Sequence, residues 1–131
     1  MCLDTGKIAI GNLDATIKKG WKIIRVNEEK SKYTGALYGA LQYFDEWYKD
    51  ENLFRLQFSD PPYSYKYPSG FHICKTRKGA RVIKKEISYG KKAIIVKCLY
   101  RQVMVVGIQC GEECIVAKQI CILNPYKKKN H

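Results

Sequence analysis

A chain of 131 residues, 46% hydrophobic and 12% aromatic, carries enough apolar material for one folded domain and is too short for two of ordinary size. Twenty-four Lys and Arg against twelve Asp and Glu give a net charge of +12, which favours polyanionic partners over acidic or neutral ones. No run reaches the roughly 18 apolar residues of a membrane span. Met1 to Thr5 lack the basic start and apolar stretch of a signal peptide, so an intracellular, cytoplasmic protein with no membrane contact is expected.

In chain order, Asn12 to Gly20 reads as a short helix: Asn12 caps it, Leu13 and Ile17 share a face, Lys18 and Lys19 suit its negative end, and Gly20 terminates it. Trp21 to Val26 reads as a strand buried on most of both faces. Asn27 to Lys32 is polar and turn-like. Tyr33 to Gly39 fits either a strand or a loop packed by its own side chains. Aromatic residues from Tyr43 to Tyr48 stand beside Asp45, Glu46, Asp50 and Glu51, the one acidic concentration in the sequence, and are a candidate self-association patch. Leu53 to Phe58 alternates as a strand does, and Pro61 and Pro62 follow as a stop. Tyr63 to Gly70 is irregular and rich in tyrosine.

The second half is more regular. Phe71 to Cys74 reads as a strand, and Thr76 as the N-cap of a helix running through Ala80, Val82 and Ile83. Ala93 to Leu99, Gln102 to Ile108, and Glu113 to Leu123 are β-rich, the last as one long or broken strand. Glu112 and Glu113, following Gly111, belong to a hairpin turn. These elements predict an α+β fold: one small domain over residues 1–124, mostly antiparallel sheet with two short helices, followed by a basic tail over residues 125–131.

Six cysteines, Cys2, Cys74, Cys98, Cys110, Cys114 and Cys121, mostly have apolar neighbours and read as reduced thiols that pack as small hydrophobes. Cys110 and Cys114 are the only close pair. A structural zinc site needs a second pair of ligands, and the sequence offers none; no metal is expected.

The positive charge is concentrated. Between Lys75 and Arg101 stand ten basic residues and one acid, Glu86. On the second helix Arg77, Lys78, Arg81, Lys84 and Lys85, with Lys75 just before it, form a basic ridge. Such a ridge neutralises phosphates and releases their counterions, giving affinity with little sequence preference. Tyr63, Tyr65 and Tyr67 are candidates for stacking on exposed bases. A nucleic acid or nucleoprotein partner is therefore expected, with no cofactor. A solvated basic face is the plainer alternative.

Three segments carry a resemblance. Trp21-Lys-Ile-Ile-Arg25-Val26, Pro68-Ser-Gly-Phe-His72-Ile-Cys-Lys-Thr-Arg-Lys-Gly-Ala80 and Glu112-Glu113-Cys-Ile-Val-Ala-Lys-Gln119-Ile-Cys-Ile122 are similar, in order, to motifs of the ADP-ribosyltransferase-like fold. The Gly-Phe-His and Val-Ala-Lys segments also resemble small proteins encoded by phages and prophages. The first resemblance implies an NAD or nucleotide site in which Arg25 anchors the cofactor, His72 or Thr76 lines the pocket and Glu113 (or Glu112) orients the ribose. The second implies an accessory binding protein, an inhibitor of a host defence complex such as an anti-CRISPR protein being one form. The Ser-Thr-Ser of the arginine class and the tyrosine of the histidine–tyrosine–glutamate class are absent from these segments, and a non-catalytic member fits that departure.

Overall fold

The computed structural model describes residues 5–8, 16–35, 41–50, 55–57, 66–68, 70–87 and 92–126. Its elements are β1 (Thr5–Ile8), β2 (Lys18–Val26), β3 (Lys32–Gly35), β4 (Gln42–Tyr43), β5 (Trp47–Lys49), β6 (Arg55–Gln57), β7 (Lys66–Pro68), β8 (Phe71–Cys74), α1 (Arg77–Ile87), β9 (Ala93–Gln109) and β10 (Glu112–Ile122). All the strand pairings among the described residues are antiparallel. The α+β expectation therefore holds in its coarse form, with one helix among the described residues.

β9 organises the sheet. Its first half pairs with β2 (Arg25 opposite Ala93 through Lys18 opposite Tyr100) and its second half with β1. Along its other edge it pairs with β10. β10 in turn pairs with β8 and β5, and β8 returns to β2 through Trp21 opposite Cys74. The circuit β2–β9–β10–β8 is thus closed, and closure removes exposed edges and encloses side chains.

The bends that closure needs are visible in the backbone. Gln102 in the middle of β9 has φ 59°, and the β9–β10 register shifts between Val116 and Ala117. Such an irregularity bends a strand and raises its twist. The two β-rich segments read from the sequence are accordingly one 17-residue strand. The β9–β10 connection is a two-residue turn: Gln109 pairs with Glu112, while Cys110 and Gly111 have φ 50° and 78°. Two successive positive φ values match the twist of a tight hairpin. The hairpin is where it was expected, but Glu112 already belongs to β10.

The first helix is corrected in part. Residues 9–15 lie outside the described residues, and Lys18, Lys19 and Gly20 belong to β2. Gly20 is not a helix terminator: a Cβ there would sit 2.5 Å from Ile73 Cγ2 and 3.2 Å from the Cys74 carbonyl oxygen. The close approach of β2 to β8 requires a glycine at that point.

Two apolar clusters fill the two faces of the sheet. Ile24, Ile73, Val96, Cys98, Tyr100, Ile115 and Ile120 lie on the enclosed face with Tyr33 and Phe44, whose rings meet at 5.3 Å. Ile23, Cys74, Ala93, Val105, Cys114 and Val116 lie on the other, under Ala80 and Ile83 of α1. The expected N-cap is in place: Gly79 N donates to Thr76 Oγ1 at 2.9 Å, and Ala80 N donates to the Thr76 carbonyl at 3.1 Å. The turn at Asn27 also forms, its Oδ1 accepting from Ser31 N and Lys32 N. No described helix is long and apolar enough to cross a membrane.

Candidate nucleic-acid interface

Helix α1 sorts its residues as its sequence dictates. Gly79, Ala80 and Ile83 are buried, whereas Arg77, Lys78, Arg81 and Lys85 are exposed and Lys84 is half-buried. Arg77, Arg81 and Lys85 follow one another at i,i+4 and so line one exposed row. The last turn holds Lys84 and Lys85, the favourable end for cations, but the first turn holds no acid at all. Arg77 and Lys78 there oppose the helix dipole. Glu112 relieves part of this from outside, its Oε2 lying 3.2 Å from where a Gly79 Cβ would be.

The sheet continues the basic surface in a way that the sequence reading did not anticipate. Directly opposed residues of antiparallel strands present their side chains on one face. Lys19 of β2 opposes Leu99 of β9, Leu99 opposes Cys121 of β10, and Cys121 opposes Trp47 of β5. In the next row Trp21 opposes Lys97. On the other side Arg101 opposes Gln119, and Gln119 opposes Lys49.

These rows lie beside α1 on the same side of the sheet as Ile23, so cations and half-exposed apolar groups alternate across them. Lys19, Lys49 and Lys97 are exposed, while Trp21, Trp47, Leu99 and Arg101 are half-buried. The two arginines cover the two tryptophans. The Arg77 guanidinium lies 5.5 Å from the Trp21 ring centroid, and that of Arg101 lies 4.2 Å from Trp47. Arg101 Nε also donates to Gln119 Oε1 at 2.8 Å, and Gln119 Nε2 to Gln102 Oε1 at 2.7 Å. That chain holds the guanidinium in one plane.

Lys75, also exposed, carries an ion pair with Glu113 at 3.8 Å. Both partners are solvent-accessible, so the pair contributes little to stability. Tyr63 and Tyr65 lie outside the described residues, and of Tyr67 only the backbone, in β7 opposite Leu56, is described. The aromatic groups that the structure does place next to the cations are Trp21 and Trp47. Their sequence signal is the period-two pattern Lys19-x-Trp21-x-Ile23-x-Arg25 with Lys97-x-Leu99-x-Arg101, in which cations alternate along strands rather than cluster along a helix.

The residues expected of a nucleotide site stand on three strands, β2, β8 and β10. Arg25 is exposed at the end of β2 opposite Thr34 and Ala93, whereas Glu113 is exposed beside the turn, opposite Ile108. His72 is buried between them in chain order on β8, 8% exposed. Burial, with the Lys22 charge adding to it, pulls the His72 pKa down to about 3, so its imidazole is neutral at physiological pH.

Lys22 closes the circuit at its weakest seam. β2 and β8 share a single register pair, and Lys22 Nζ donates to the His72 carbonyl at 2.8 Å. Burial of this ammonium lowers its pKa. Burial likewise raises that of Cys98, to about 12. Four of the six cysteines, Cys74, Cys98, Cys114 and Cys121, are buried free thiols, and Cys110 is half-buried. Among the described residues no group of three or more His, Cys, Asp or Glu is arranged to hold a metal ion.

Comparison of the chain with protein-family models, with curated proteins and with solved structures finds no match to any of them.

Proposed function

We propose that this protein is a nucleic-acid-binding module whose contact surface is the exposed row of α1 together with the adjoining rows of β2, β9 and β5. The observation that carries this reading is the Arg77–Trp21 contact, which joins the helical cations to the sheet cations Lys19 and Lys97 without an apolar gap. Arg77, Lys78, Arg81, Lys85, Lys19 and Lys97 form no ion pair with another described residue, so their charge is available to phosphates. Two cations in the first turn cost helix stability, which is a poor arrangement for solubility alone and a useful one for phosphate contact.

The chemistry that follows is backbone neutralisation with counterion release, giving strong salt dependence and weak sequence preference. A phage-type accessory protein, including an inhibitor that occupies the nucleic-acid site of a defence complex, would use the same surface. Gel filtration of the purified protein at low and high salt, reading the ratio of absorbance at 260 and 280 nm, tests this. Nucleic acid co-eluting at low salt and lost at high salt is the expected result. An R81Q/K85Q/K97Q variant is expected to lose about tenfold or more in affinity for a 20-nucleotide oligomer. Unchanged affinity in that variant overturns the surface. NAD binding by calorimetry, with no nucleic-acid binding, would replace this reading with the ADP-ribosyltransferase-like one.

A further inference from the structure

Cys74 of β8 and Cys114 of β10 stand directly opposite one another. The neighbouring pair, Lys75 and Glu113, is a hydrogen-bonded one, since Lys75 N donates to the Glu113 carbonyl at 3.2 Å. Pairs alternate along an antiparallel ladder, so Cys74 and Cys114 occupy a non-hydrogen-bonded position, where Cα atoms approach to about 4.5 Å and side chains lie closest. That separation is within the span, about 4.4–6.8 Å, that a disulfide bridges.

Both thiols point to the face under α1 and belong to one cluster with Ala80 and Ile83. They share a hydrogen bond, which acts to lower the pKa of Cys74 and to raise that of Cys114. Both are buried, at 1% and 0% exposure. Cys110, on the hairpin turn, is half-buried and packs against the same cluster, which gives the pair a thiol that solvent reaches.

We propose that Cys74 and Cys114 are a reversible dithiol–disulfide pair, loaded through Cys110. The oxidant is a low-molecular-weight disulfide. The Cys110 thiolate attacks one of its sulfurs and expels the first small thiol, leaving a mixed disulfide. The Cys114 sulfur attacks Cys110 and expels the second. The Cys74 thiolate then attacks Cys114 and releases Cys110 as a thiol. Two protein thiols are oxidised by two electrons, the small disulfide is reduced by two, and both protons leave on the two small thiols. The new bond ties the residue three places before α1 to the β9–β10 hairpin, at the root of the basic helix.

The test uses the full-length reduced protein and glutathione disulfide as the probe. After quenching by alkylation, protease fragments are mapped by mass spectrometry without reduction. The expected result is a linked pair of fragments containing Cys74 and Cys114, with Cys98 and Cys121 alkylated. In a C110S variant the same link is expected to form about tenfold more slowly, to the same final extent. A reaction that stops at glutathione on Cys110, or that leaves Cys74 and Cys114 alkylated, overturns the pair. An unchanged rate in C110S overturns the relay. Because C74S and C114S alter the core, the test does not depend on them. It is also independent of nucleic-acid binding, so either proposal can fail alone.

Discussion

On the enclosed face of the β2–β9 pair lie Ile24, Val96, Cys98 and Tyr100, none more than 4% exposed. On the opposite face of the same two strands lie Lys19, Trp21, Lys97 and Arg101, half-buried or exposed. The two sets interleave residue by residue, because side chains alternate along a strand. The enclosed set supplies cohesion, and Lys22, in the same alternation, is held by the His72 carbonyl. The open set carries charge that folding does not need. Over residues 19–22 and 96–101 stability and binding are thereby assigned to alternate residues, whereas nearer the other end Ile23 and Ala93 of the open face are core under α1; substitution of the exposed cations should therefore leave stability intact.

The strongest challenge to that division is a cavity on the enclosed face. Ile24→Ala, at a site with no exposure, is expected to cost about 2–5 kcal/mol in urea unfolding; a cost no larger than that of a surface change would show that the enclosed face is not the core. Acid comes next. Unfolded, His72 takes up a proton below its ordinary 6.5, whereas the folded protein resists protonation down to about 3. Stability is therefore full above pH 6.5 and falls with pH across that window, on the order of 1.4 kcal/mol per unit. Replacing His72 by Gln is expected to flatten that slope, which thermal melts between pH 4 and 7 would read.

Charge removal acts on the other face. The R81Q/K85Q/K97Q variant is expected to melt within about 0.5 kcal/mol of the parent while losing its binding, as differential scanning calorimetry beside an oligonucleotide titration would show. Smallest of all, Thr76→Ala removes the N-cap of α1 and is expected to cost about 1 kcal/mol by chemical denaturation, with the binding loss limited to what fraying of the first turn produces.

What could be read in the sequence was what local chemistry decides. Thr76 announced its helix because its hydroxyl is three residues from the Gly79 N–H that it satisfies, and Gly111 marked the hairpin between two β-rich segments. Gly20 misled because two causes place a glycine after a lysine pair, a helix end or a close strand crossing, and only the position of Ile73, 53 residues away in sequence, distinguishes them. The split of β9 misled because Gln102 at φ 59° is an unfavourable residue for that backbone, so the bend leaves no turn residue to mark it. The helical ridge of the candidate interface was legible at i,i+4 spacing. Its continuation over Lys19, Lys97 and Arg101 was not, since cations from separate strands are brought side by side only by the register.

The salt dependence of binding tests the central claim most directly. Affinity for a labelled 20-nucleotide single strand, measured by fluorescence anisotropy from about 50 to 300 mM salt, is expected to fall with a log–log slope of about −3.5, as about five neutralised phosphates require. The R81Q/K85Q/K97Q variant is expected to give a slope shallower by about two. A slope near zero, or one that those three substitutions leave unchanged, would contradict the assignment of the open face to nucleic acid.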